Sequence, residues 1–149
     1  IGEERLTLLE VLGVEDTTFE VGERIYIGKE GRSKIQSVLG KMTYEKISSS
    51  AKNEIPAIVK SIVRKNEQRF VDYLNNAQPL TPRVHALELI PGIGKTYLNS
   101  IIQEREKKPF ENYDDIERRA GLKEPIMHLT KRILEEISGE TRMNIFVKR

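Results

Sequence analysis

Apolar positions along this chain follow two different periods. In residues 24–28, Ile25 and Ile27 fall on one side and Arg24 and Tyr26 on the other, the alternation of a strand with one buried face. Residues 5–12 are rich in β-formers with a less perfect alternation, and Ile35 to Leu39 form a third apolar stretch ending at Gly40. Val21-Gly22-Glu23 and Gly28 to Gly31 read as turns between them. Residues 1–47 therefore predict a small antiparallel sheet or barrel. Near Ser48 the period changes. Ile55, Ile58, Val59, Ile62 and Val63 recur at helical spacing behind Ser48-Ser49-Ser50, whose hydroxyls suit a helix N-cap. Pro56 is expected early in that helix or at a kink, because it has no N–H to donate. Phe70, Val71 and Leu74 carry the helical pattern to Asn75-Asn76, and Pro79 and Pro82 break it. Short helices are predicted over residues 83–90, 95–107, 113–120 and 126–138. At the end, Met143, Ile145 and Val147 alternate with Arg142, Asn144 and Phe146. A lone strand needs a partner, so residues 141–149 are expected to return to the N-terminal sheet. The pattern gives an α+β chain with a β domain over residues 1–47 and a helical domain over 48–140.

Charge changes this picture by its distribution, not its total. The 149 residues carry 25 Lys and Arg against 23 Asp and Glu, for a net charge of +2. That excludes a polycation that binds nucleic acid by bulk charge. Residues 1–23 hold one base, Arg5, against seven acids, whereas residues 24–69 hold eleven bases against four acids. The middle third is a basic block, and a local positive field is what a phosphate backbone responds to. The bland alternative is a solvated surface with scattered lysines. Cysteine is absent, which removes disulfides, thiolate metal sites and thiol nucleophiles. No apolar run approaches the roughly 20 residues of a membrane span. Ile1 is not a Met and no signal-peptide pattern follows it, which predicts a cytoplasmic protein and leaves open whether its natural start is present.

The most informative stretch is Leu89-Ile90-Pro91-Gly92-Ile93-Gly94-Lys95-Thr96. Gly94-Lys95-Thr96 copies the end of a phosphate-binding P-loop, but that motif needs glycine at position 89 and a buried strand before it. Leu89 stands there, and Val84, Leu87 and Ile90 have helical spacing, which argues against nucleotide hydrolysis. A different reading fits. Gly92 and Gly94 permit a tight turn and close approach of another backbone. Ile93 can plug the gap between two helices, and Lys95 and Thr96 open the second, whose unpaired N–H groups favour an anion. With Ile101-Ile102 and Arg105-Glu106 following, the segment closely resembles the helix-hairpin-helix family over residues 83–107. The resemblance implies contact with nucleic-acid phosphates through Gly92, Ile93, Gly94, Lys95 and Thr96. It also implies a monovalent cation held by the carbonyls of Glu88, Ile90 and Ile93. Leu98 departs from the pattern, which usually has a small residue at the helix crossing.

Phe110 to Ile116, followed by Gly121-Leu122-Lys123, looks like a degenerate second hairpin over residues 113–138. Its second glycine is replaced by Lys123 and Pro125 follows at once, so a structural role is expected, with Lys123 adding one phosphate contact. Asp114, Asp115 and Glu117 suggest a metal cluster or, more simply, a solvated first turn. The β segments with Lys29, Arg32 and Lys34 are similar to an OB or S1-like barrel, which binds single strands through basic grooves and stacked aromatics. Tyr26 is the first stacking candidate and Phe19 the second. Taken whole, with residues 66–78 and 87–110 carrying most of the likeness, the chain resembles an uncharacterised archaeal family of predicted nucleic-acid-binding proteins. That family has an OB-like barrel followed by a helix-hairpin-helix domain.

Catalytic groups are scarce. His85 and His128 have no second histidine at metal-pair spacing, and no Gly-x-Ser-x-Gly elbow occurs. The expectation is a non-catalytic protein that binds nucleic acid, RNA slightly before DNA, with no membrane partner and no cofactor beyond the hairpin cation. The competing readings are a protein-interaction module that packs its hairpin on a partner, and an accessory domain of a nuclease or repair enzyme.

Overall fold

A computed structural model describes residues 1–148. Its contacts divide the chain into two compact units, residues 1–58 with 136–149 and residues 59–135. The element order is β1 (Leu9–Gly13), β2 (Ile35–Lys41), α1 (Ser49–Lys65), α2 (Glu67–Asn76), α3 (Lys95–Lys107), α4 (Tyr113–Ala120) and α5 (Pro125–Ile137). Single 3₁₀ turns sit at Tyr44–Lys46 and Ala86–Leu89. The fold is α+β.

In the first unit β1 and β2 pair antiparallel, from Leu9 opposite Lys41 to Gly13 opposite Ile35, with irregularities after Glu10 and Leu12. The expected barrel is not present among the described residues, whose sheet has two strands. Residues 24–28 form no strand. Ile25 and Ile27 are half-buried and Tyr26 exposed, as the alternation requires, but alternation fixes a face and not a pairing partner. Residues 141–148 form no strand either. Their backbone is satisfied by a side chain instead: the carboxylate of Glu136, fully buried, accepts from the N–H groups of Ile145 (2.9 Å), Phe146 (3.0 Å) and Val147 (2.8 Å). Lys148 N–H donates to the Arg5 carbonyl at 2.9 Å, so the two ends of the chain do meet within this unit.

The helical expectations fare better. Ser48 Oγ accepts from Ala51 N–H at 3.2 Å and caps α1. Ile55, Val59, Ile62 and Val63 are its buried stripe. Pro56 lies well inside α1, not at its start; it faces solvent, where water can serve the carbonyl that lost its donor. Phe70, Val71 and Leu74 are the buried face of α2. In the second unit, Tyr113 donates its hydroxyl to the Val63 carbonyl at 2.7 Å, and Asn75 closes a two-way pair with the Phe110 backbone. Burial, with Glu67 nearby, pushes the Tyr113 phenol above its ordinary range. The helix expected over residues 83–90 shrinks to the Ala86–Leu89 turn. His85 is extended, forms an isolated bridge with Pro79, and starts the turn as its cap, which takes residues 83–85 out of any helix.

Candidate nucleic-acid interface

The hairpin joins the Ala86–Leu89 turn to α3 through Pro91 to Gly94. The N-terminal end of the turn is fixed by side chains. His85 Nδ1 accepts from Leu87 N–H at 3.1 Å, and Glu88 accepts from His85 N–H at 3.0 Å, a reciprocal capping box. Nδ1 is thus unprotonated, and the proton sits on the buried Nε2, which has no hydrogen-bond partner in the structure. Burial, with Arg105 adding to it, pushes the His85 imidazole below its ordinary range against the pull of Glu88. Ile93 is buried as the expected plug, and its N–H donates to the Ile90 carbonyl at 3.1 Å. Leu98, the departure from the hairpin pattern, is buried as well.

The two glycines differ. Gly92 has φ +90°, and a Cβ there would overlap the ring of His128. Both the left-handed backbone and the close approach demand glycine. Gly94 has φ −90° and is the N-cap of α3, with no side chain capping the helix. A Cβ at Gly94 would meet nothing within 4 Å. The space at the Gly94 Cβ position is therefore open, at the end of α3 where the first N–H groups have no partner within the helix. Lys95 and Thr96 are exposed beside it, as is Tyr97. Lys95 is not idle: its ammonium pairs with Glu88. That pair, with the His85 N–H, holds the Glu88 carboxyl below the usual carboxylate range.

The other predicted residues divide between the two units. Lys123 is exposed in the loop before α5. Lys34 is occupied, pairing with Glu23 at 2.5 Å, donating to the Thr18 carbonyl at 3.0 Å and standing 5.3 Å from the Phe19 ring centroid. Phe19 lies against Gly13, where a Cβ would fall 2.7 Å from the ring. Tyr26 is 62% exposed, with its ring folded back on Gly28. Lys29 is exposed and Arg32 half-buried. Among the described residues no group of acids and histidines could hold a metal ion. Within the acidic stretch at 114–117, Asp115 is taken up by the fold: Asn112 caps α4 by accepting from Asp115 N–H at 2.7 Å, and Asp115 accepts from Glu111 N–H at 3.0 Å and pairs with Arg118 and Arg119, both at 2.9 Å. Burial alone would raise its carboxyl, but these donors hold it below the usual range.

Reading the sequence missed the residues behind the hairpin. His128 Nδ1 lies 2.8 Å from the Pro91 carbonyl; the oxygen can only accept, so Nδ1 carries the proton. Arg132, buried on the same face of α5, donates Nη1 to the Leu89 carbonyl at 3.2 Å. Their four-residue spacing on an amphipathic helix was the available signal.

Among the described residues no helix is long and apolar enough to cross a membrane. The uncharacterized protein MJ0038 of Methanocaldococcus jannaschii is 41% identical over 150 aligned positions, which span 99% of this chain and 69% of that protein. The crystal structure of Af1531 from Archaeoglobus fulgidus superposes with a TM-score of 0.88 at 36% identity, covering 99% of this chain and 83% of that one. Residues 1–148 match the family described as a protein of unknown function, DUF655, and the chain belongs to that family.

Proposed function

We propose that this is a non-catalytic nucleic-acid-binding protein whose helix-hairpin-helix grips backbone phosphate at the N-terminus of α3. The observation that carries the reading is the contrast between the glycines. Gly92 is required by the fold, while Gly94 opens onto empty space before an uncapped helix end. An anion placed there would meet backbone N–H groups and the Thr96 hydroxyl, with the Lys95 ammonium shared between it and Glu88. Such contacts position a nucleic acid without reading its bases. The carbonyls of Glu88, Ile90 and Ile93 remain the proposed ligands of a monovalent cation. The preference for RNA rests on a barrel, which the described residues do not form. Without the barrel, the hairpin is the stronger element, and it suits the backbone of duplex DNA.

A second reading has an observation of its own. Val11, Leu12, Val14, Val21 and Leu39 are exposed in or near the two-stranded sheet, which favours a protein partner on the first unit.

The test compares single-stranded RNA, single-stranded DNA and duplex DNA at several salt concentrations, with wild type and with Gly94→Glu/Lys95→Glu. The open space at Gly94 lets the fold accept the new side chain. Wild-type affinity for duplex DNA is expected to fall by about 0.9 log units per phosphate contact per decade of salt, and the double variant is expected to bind much more weakly. A folded double variant with undiminished affinity rejects the hairpin as the grip.

A further inference from the structure

We infer that His128 is the positioning residue of the hairpin, so that the degenerate second helical pair serves the first. This inference rests on the reading of the hairpin as the phosphate grip. Three observations converge on it. The His128 imidazole donates Nδ1–H to the Pro91 carbonyl at 2.8 Å. The same ring occupies the volume that a Cβ at Gly92 would fill, so the turn can seat on it only as glycine. One turn further along α5, Arg132 reaches the Leu89 carbonyl at 3.2 Å.

α5 therefore holds two carbonyls on either side of Ile90, while Ile93 plugs the turn from within. A glycine-rich turn has many accessible backbone conformations. Donors that fix its carbonyls also fix where the following N–H groups point, and an anion site depends on that direction. His128 touches no ligand in this scheme. It acts through the backbone of Pro91 and Gly92. Lys123, in the loop at the head of α5, is not needed for the role.

The experiment measures duplex DNA affinity at fixed low salt, with amide NMR spectra, for His128→Ala, His128→Asn and His128→Gln beside Gly94→Glu/Lys95→Glu. An asparagine amide N–H can take the place of Nδ1–H, whereas glutamine mimics the distal nitrogen. His128→Ala is expected to bind roughly tenfold more weakly, the loss of one well-placed hydrogen bond. Its Gly92, Ile93 and Gly94 amide signals should shift while those of α4 stay in place. His128→Asn is expected to recover most of the affinity. A folded His128→Ala that binds like wild type overturns the inference, as does an Asn variant no better than Ala. Should the Ala variant fail to fold, Asn binding above Gln supports the role and equal binding overturns it. If Gly94→Glu/Lys95→Glu also keeps its affinity, the phosphate-grip reading itself falls and takes this inference with it. If only the His128 variants keep theirs, the inference falls alone.

Discussion

Gly92 and Gly94 are two residues apart and equal in the sequence, yet they do different physical work. Gly92 sits at φ +90° against the His128 ring. Gly92→Ala is expected to cost about 1–3 kcal/mol from the left-handed backbone alone, before the overlap with the ring is counted. Gly94 is extended, with open space at its Cβ position. Gly94→Ala is expected to change stability by less than about 1 kcal/mol, because alanine accepts that backbone and only gives up some N-cap preference. Urea melts of the two variants check the contrast directly. Equal losses would remove the distinction on which the open site depends. The sequence marks both positions as turn glycines. It cannot say which one the fold itself requires, because that depends on a side chain far along the chain at position 128.

At the scale of elements, helical periodicity was legible and strand pairing was not. The spans over residues 95–107 and 113–120 match α3 and α4, and α5 begins one residue before the expected span. A helix satisfies its backbone locally, so its signal is contained in its own residues. Residues 24–28 and 141–148 had the alternation of strands but no strand to pair with. In the second case Glu136 substitutes for one. Its carboxylate takes three successive backbone N–H groups. Glu136→Ala is expected to lower stability by about 2–3 kcal/mol, since charge-assisted hydrogen bonds are lost and buried donors are left without partners. Hydrogen exchange should speed up first at the amides of residues 145–147. If those amides keep wild-type protection in the variant, the carboxylate is not what holds the segment.

For the whole molecule, a net charge of +2 leaves little long-range attraction for a polyanion. Whatever affinity exists must come from local groups. The basic block over residues 24–69 is less available than its count suggests. Arg24 is bound to Glu3 at 2.6 Å and Lys34 to Glu23. Lys29→Glu/Arg32→Glu is therefore expected to weaken duplex DNA binding by no more than about tenfold, a reduction of one or two phosphate contacts in the salt slope. The hairpin double variant is expected to do more damage to the same slope. Titrations at three salt concentrations rank the two variants. A basic-block variant that loses most of the slope would make the first unit the principal contact and leave the hairpin a scaffold.

The sequence alone determined the α+β class, the spans of α3 and α4, that of α5 to within one residue, the buried stripes of α1 and α2, and the turn glycines between residue 90 and α3. Each follows from spacing within one segment, where the backbone and its nearest neighbours set the outcome. Tertiary structure alone decided the number of strands, the replacement of a terminal strand by Glu136, the capture of Lys34 by Glu23, and the support of the hairpin by His128 and Arg132. These are choices of partner between residues distant in the chain. Local periodicity records which face a residue turns inward, but only the packed fold determines what it meets there.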